Sequence, residues 1–152
     1  MATMPMYYGS LGVLTAAQTT IVTGDTFVKA AGTTLGLENF GFSHSDNRLT
    51  YTGETARTFK VTAEVSMTTS AATEALMCIF KNGVRTHPLE STGTYPIGVI
   101  QRHVGVGIDV GAAAVSILVK LKKDDYVELW LTTDDGDEVT WEYGTLIATV
   151  AG

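Results

Sequence analysis

Cysteine is almost missing: one stands in 152 residues, at Cys78, so no disulfide can form within the chain. Stability then has to come from an ordinary core. A chain of this length buries roughly two-thirds of the surface its unfolded form exposes, enough for one domain without a metal or disulfide staple. Cys78 itself lies in the run Ala75-Leu76-Met77-Cys78-Ile79-Phe80 and reads as a small buried hydrophobe. Charge is also scarce. Charged residues are 17% of the chain, below the usual quarter or so of a soluble domain. Part of the surface is therefore expected to be covered by something other than water, with copies of the chain itself as the first candidate. Long apolar runs are absent, none approaching the roughly 18 residues of a membrane-spanning helix. Met1 to Tyr8 show no basic region followed by an apolar core, so neither a membrane partner nor a signal peptide is expected, and synthesis in the cytoplasm follows. The net charge is −6, and the tightest basic group, Lys120, Lys122 and Lys123, runs directly into Asp124 and Asp125. Nucleic acid, whose binding relies on clustered cations, is not an expected partner.

No helical stripe of useful length appears either. What fills the chain is Thr, Val, Ile and aromatic residues punctuated by 16 glycines, the composition of strands and turns. From Arg57 to Met67 the residues Phe59, Val61, Ala63, Val65 and Met67 alternate with Thr58, Lys60, Thr62, Glu64 and Ser66, which describes an antiparallel strand with one buried face. Ala75 to Phe80 is composed of helix formers but runs into Asn82-Gly83, a hairpin signal, and is read as a buried strand. Further strands are expected at Thr19–Thr23, Phe27–Ala30, Glu38–Ser43, Arg48–Tyr51, Val99–Val106, Ala114–Leu121, Tyr126–Thr132 and Val139–Val150. Polar turns separate the last three of these, at Lys122–Asp125 and Thr133–Glu138. About eight to ten short strands joined in this way predict an all-β antiparallel jelly-roll sandwich. Residues 1–17, rich in Met, Tyr and Gly, do not fit the pattern and are expected to form an N-terminal arm ahead of a jelly-roll domain at 18–152. Met4, Met6, Tyr7 and Tyr8 on such an arm point to docking into a partner, since exposed aromatic and Met side chains gain most from burial in one.

Candidate chemistry is thin. His44, His87 and His103 are not spaced as metal ligands on any strand or helix. Asp134, Asp135 and Asp137 around Gly136, followed by Glu138, are the ligand type of calcium but lack the ~12-residue loop of an EF-hand, so they read first as a solvated turn and as a calcium candidate second. There is no Gly-x-Ser-x-Gly, and Gly105-Val106-Gly107 opens no helix. Neither catalysis nor a cofactor is expected. Trp130 and Trp141 suit a core or a subunit interface better than sugar stacking.

Four stretches in order resemble the jelly roll of the complement-type globular heads and tumour-necrosis-factor-like cytokines, above all its viral and phage-borne members: Arg48-Leu49-Thr50-Tyr51-Thr52-Gly53 leading into Arg57–Ser66, then Ile79-Phe80-Lys81-Asn82-Gly83, then Val119–Trp130, then Val139–Ile147. Asp124 departs from that pattern, standing where the family tends to have Gly, and Thr86–Gly98 matches nothing in it. The resemblance implies a homotrimer packed through apolar, aromatic-rich strand faces. Phe59, Trp130, Trp141 and Tyr143 are the aromatic residues this nominates for the trimer interface. It further implies a non-enzymatic structural protein of a virion surface: a capsid decoration (cement) protein of a phage head, with the major capsid protein as partner. The alternative is a receptor-binding tip or short fibre recognising a host-surface glycan through the Thr86–Gly98 and Asp134–Glu138 loops.

Overall fold

Phe59, Val61, Ala63, Val65 and Met67 all lie in the interior, none more than 3% exposed, so the alternation along this stretch sets the inner face of a central strand. The computed structural model describes residues 6–86, 98–106 and 109–151, and all their regular structure is strand. In chain order these are β1 (Tyr8–Thr15), β2 (Gln18–Thr20), β3 (Val28–Lys29), β4 (Thr33–Gly36), β5 (Phe42–Ser45), β6 (Arg48–Tyr51), β7 (Arg57–Thr69), β8 (Thr73–Lys81), β9 (Val84–Arg85), β10 (Val99–Val104), β11 (Gly111–Leu121), β12 (Tyr126–Thr133) and β13 (Glu138–Val150). They form two sheets. The first runs β11-β7-β13-β1-β4 with β2 added to β13, and the second runs β10-β8-β12-β6-β5 with β3 on β12 and β9 on β8. The pairings are antiparallel. The expected all-β antiparallel sandwich is the fold observed.

The core lies between the sheets. Leu11, Val115, Leu121, Leu146 and Ala148 from the first meet Leu49, Met77, Ile79, Leu129 and Leu131 from the second, all buried. At one end the core becomes aromatic: Phe59 meets Tyr51 edge-on at 4.9 Å and Phe42 at 5.0 Å, and the Arg57 guanidinium caps the Tyr7 ring at 5.2 Å. Such edge-to-face contacts add about 0.5–1.5 kcal/mol each beyond burial.

Several elements differ from the sequence expectation, among them the strand expected at Glu38–Ser43, which forms instead at Phe42–Ser45 as β5. Residues 8–15 are not an arm. They form β1, hydrogen-bonded to β13 on one side and β4 on the other, and Gln18–Thr20 adds β2 to the same sheet. Gly9, Leu11 and Val13 point inward, and Gly9 is needed there because a Cβ would sit 2.7 Å from the Phe42 ring. β4 was likewise unforeseen, its four residues (Thr33–Gly36) being too few to show a pattern.

The turns follow their chemistry. Asn82 (φ 52°) and Gly83 (φ 77°) make the left-handed pair of a tight hairpin between β8 and β9. In the Lys122–Asp125 turn, Asp124 adopts φ 73°, the left-handed conformation that a type II turn asks of glycine at this place. Glycine meets this requirement without strain, and here a strained Asp stands in its place. Asp124→Gly is expected to raise stability by about 0.5–1 kcal/mol, seen as a rise of roughly 1–4 °C in the melting temperature. Asp125 beside it is buried, which alone would raise its pKa. Hydrogen bonds from Asn82 Nδ2 and the Lys122 amide, with the Lys81 charge, outweigh burial and hold it below the ordinary carboxylate range.

Candidate functional site

Each sheet has an outer face, and the two are built differently. On the first sheet the outward positions Tyr8, Ser10 and Gly12 of β1 stand opposite Thr149, Ile147 and Thr145 of β13, and Leu14 and Tyr143 are exposed further along the same two strands. None of these carries a charge. Leu35 stands opposite Gly12 from β4, and Leu37 lies within van der Waals reach of where a Gly12 side chain would begin. Leu14, Leu35, Leu37, Phe40 and Tyr143 are each at least about half exposed. This is a continuous apolar and small-residue surface, larger than the scattered exposed leucines of an ordinary monomer. Beside it a hollow of about 470 Å3 opens between β7, β11 and β13, lined by small residues and Tyr143 with one carboxylate: Glu64, Ser66, Ala112, Ala114, Tyr143 and Gly144. It is wide enough to take a side chain from another molecule.

The second sheet is closed off by its own residues. Trp130 stacks flat on Phe80 at 4.2 Å, and Phe27 leans on Phe80 from the loop above. Glu128, buried, forms an ion pair with Lys29 Nζ at 2.7 Å and accepts hydrogen bonds from Arg48 Nε at 3.0 Å and from Trp130 Nε1 at 3.2 Å. Those bonds clamp β3 and β6 to β12. Cys78 sits beneath this layer, its thiol pushed up to about 11 by burial, so it is a structural residue, as its sequence setting indicated.

The residues nominated from sequence divide accordingly. Phe59 and Trp141 are inside the protomer's own core, at 0% and 2% exposure, and offer no surface to a neighbouring copy. That corrects their nomination for the trimer interface. Trp130 is half-buried on the second sheet, engaged with Phe80 and Glu128. Tyr143, 73% exposed, is the one of the four that stands free on the apolar face. Tyr7 is packed, stacked on Phe40 at 5.8 Å and edge-on to Tyr51 at 5.6 Å, while Tyr8 faces outward beside Phe40. Met6 is exposed, and Met4 lies outside the described residues. Leu14, Leu35, Leu37 and Phe40 were not singled out from sequence; a β1 strand read as Gly9-Leu11-Val13 inward would have exposed them.

Among the described residues no group of His, Cys, Asp and Glu is arranged to hold a metal ion. The Asp134 carboxylate is engaged by Thr73 Oγ1 at 2.7 Å and the Glu74 amide at 3.1 Å, and these bonds lower its pKa, Thr73 most of all. Asp135 is raised chiefly by the neighbouring charge of Asp134, with smaller contributions from desolvation and from Asp137, as expected of carboxylates that repel one another across a turn. His44 pairs with Thr34 Oγ1 at 2.7 Å and His103 with Glu74 at 2.9 Å; His87 lies outside the described residues.

No protein-family model matches the chain, and no curated protein matches it by sequence. Solved structures do. Murine APRIL at pH 5.0 superposes with a TM-score of 0.62 at 5% identity, covering 96% of this chain and 99% of that one. Eiger TNF from S. frugiperda gives 0.59 at 8% identity, covering 98% and 94%. Murine APRIL at pH 8.5 gives 0.52 at 7% identity, covering 94% and 98%. At such identities the likeness is one of fold, and the fold is the TNF-like jelly roll.

Proposed function

We propose that this chain is a non-enzymatic assembly and binding module that forms a homotrimer through the outer face of its first sheet. The observation that carries this is the uncharged surface running from Leu35 and Leu37 on the β4 side, across Gly12 and Leu14, to Ile147 and Tyr143. Left in water, its exposed apolar area costs about 25 cal/mol for each Å2 that a second copy could cover. The low charged fraction of the whole chain is the compositional trace of the same surface. We further read the trimer as a capsid decoration protein of a phage head, on the sequence resemblance of Arg48–Ser66, Ile79–Gly83, Val119–Trp130 and Val139–Ile147 to phage-borne jelly rolls. A trimer that binds an assembled shell of major capsid protein, and not its dissociated subunits, stabilises the shell by its binding free energy. Three linked feet multiply weak contacts through effective concentration.

Sedimentation of the purified chain is the test. The expected result is a trimer mass at micromolar concentration, and a monomer mass for Leu14→Glu/Leu35→Glu, with unchanged circular dichroism because both side chains are exposed. A monomeric unmodified chain overturns the reading. Co-sedimentation with undecorated shells then tests the capsid partner, with no binding at micromolar trimer as the overturning result.

A further inference from the structure

The sandwich is electrically lopsided. Asp25, Asp109, Asp134, Asp135, Asp137 and Glu138 cluster at the end where β7 finishes and β11, β12 and β13 meet their loops, whereas Arg57, Lys60, Lys81, Lys120, Lys122 and Lys123 gather at the opposite end, where they outnumber Glu54, Asp124 and Asp125 and where Lys123 is paired with Glu54 at 2.6 Å. More than half of the Lys and Arg of a net-acidic chain thus stand together. They also surround a groove. One hollow of about 490 Å3 is lined by Ala56, Arg57, Thr58, Leu118, Lys120 and Ala151. A second of about 270 Å3 is lined by Ala56, Lys81, Lys120, Lys122 and Asp125. Ala56 and Lys120 line both, so the two hollows adjoin, and together they are called the groove.

Four cations face this groove against a single carboxylate, and that carboxylate is already engaged. Asp125 accepts from Asn82 Nδ2 and from the Lys122 amide, each at 2.9 Å, and stands 3.5 Å from Lys81 Nζ. Lys120 and Lys122 make no ion pair among the described residues, Lys81 Nζ also donates to the Lys120 carbonyl at 2.8 Å, and Arg57, whose guanidinium caps the Tyr7 ring on one side, has its Nε buried without a hydrogen-bond partner. Like charges gathered around a concave, partly desolvated wall raise the local positive potential and favour an anion there. The guanidinium suits a tetrahedral oxyanion through its fork of donors, and lysines serve as point charges beside it.

We propose that this groove binds a small ligand carrying at least two oxyanion groups, phosphate or sulfate esters, with Arg57 and Lys120 meeting one group and Lys81 and Lys122 the other. The groove lies at the β7–β11 end of the first sheet, whereas Leu14 and Leu35 of the assembly reading lie on its β1 and β4 strands, so the two sites are tested by different substitutions. Calorimetric titration of the full chain with pyrophosphate, inorganic phosphate and sucrose octasulfate tests it. Expected is saturable binding of pyrophosphate or sucrose octasulfate at least tenfold tighter than phosphate and weakened by added salt. The tighter of the two names the ester class. Lys120→Gln/Lys122→Gln, both exposed positions, should lose at least tenfold in affinity, while Arg102→Gln, at the far end, and Leu14→Glu/Leu35→Glu should bind as the unmodified chain does. The proposal is overturned if neither polyanion saturates, if the Lys120→Gln/Lys122→Gln chain binds undiminished, or if Arg102→Gln weakens binding equally.

Discussion

A chain lacking residues 1–15 is expected to show no cooperative unfolding transition, although those residues look from sequence like a dispensable arm. The truncation removes β1 from the interior of the first sheet. Tyr8 to Gly12 pair with Thr149 to Thr145 on one side, and Leu11 to Thr15 with Gly36 to Thr33 on the other. Each ladder hydrogen bond contributes about 1 kcal/mol net. The fully buried Leu11 adds roughly 1.5–3 kcal/mol, and the cut would bare β13 and strand β4 without a partner. Tyr7, whose ring closes the aromatic end of the core, goes too. Against a total stability of about 5–15 kcal/mol the sum is decisive. The measurement is a urea melt followed by far-ultraviolet circular dichroism, with dye binding to exposed apolar surface. A cooperative transition within a few degrees or tenths molar of the full chain would refute it. Met6→Ser, at an exposed position, should leave the melt unchanged. A deletion meant to probe docking by Met4 and Met6 therefore has to stop before Tyr7.

The same segment shows what the sequence can and cannot reveal. β7 was legible because five apolar residues alternate with five polar ones, and its burial follows that pattern without exception on the inner face. β6 was legible to its ends, and the Asn82-Gly83 hairpin announced itself through turn chemistry. β1 was not, because glycine at positions 9 and 12 argues against a strand when read alone. The reason for Gly9 is tertiary: the Phe42 ring occupies the space of its side chain. Missing β1 also hid the apolar face, since Leu14, Leu35 and Leu37 are outward only once β1 is a strand. Phe59 teaches a different lesson. The alternation that identified β7 already placed Phe59 on the buried face, so its nomination as an interface residue conflicted with the pattern it belongs to. The basic groove could not be read at all. Arg57, Lys81 and Lys120 are far apart in the chain and meet because β7, β8 and β11 end at the same place.

Gly144→Ala is expected to destabilise the chain by at least about 4 kcal/mol, the range reserved for a clash that the backbone cannot absorb. Gly144 adopts φ 133°, and a Cβ there would lie 1.8 Å from the Glu64 carbonyl oxygen and 2.8 Å from its carbon. Those are backbone atoms of β7, not the end of a flexible side chain. The register between β13 and β7 slips by one residue between Trp141 and Tyr143, and this bulge turns Trp141 into the core while setting Tyr143 on the outer face. Gly144 follows at once, where β13 comes back against β7. Adding a methyl group forces the two strands apart at the centre of the first sheet, with β1 and β11 carried on either side. Gly83→Ala is the matched comparison. Its φ of 77° is also left-handed, but the nearest atom to a new Cβ is the Tyr126 hydroxyl at 4.0 Å, so it should lose only about 1 kcal/mol. Paired thermal melts separate the two: a fall of roughly 2–4 °C for Gly83→Ala, and a far larger fall or no folded protein for Gly144→Ala. Equal shifts would mean that conformational strain, not the approach of β7, is what the glycine at 144 relieves.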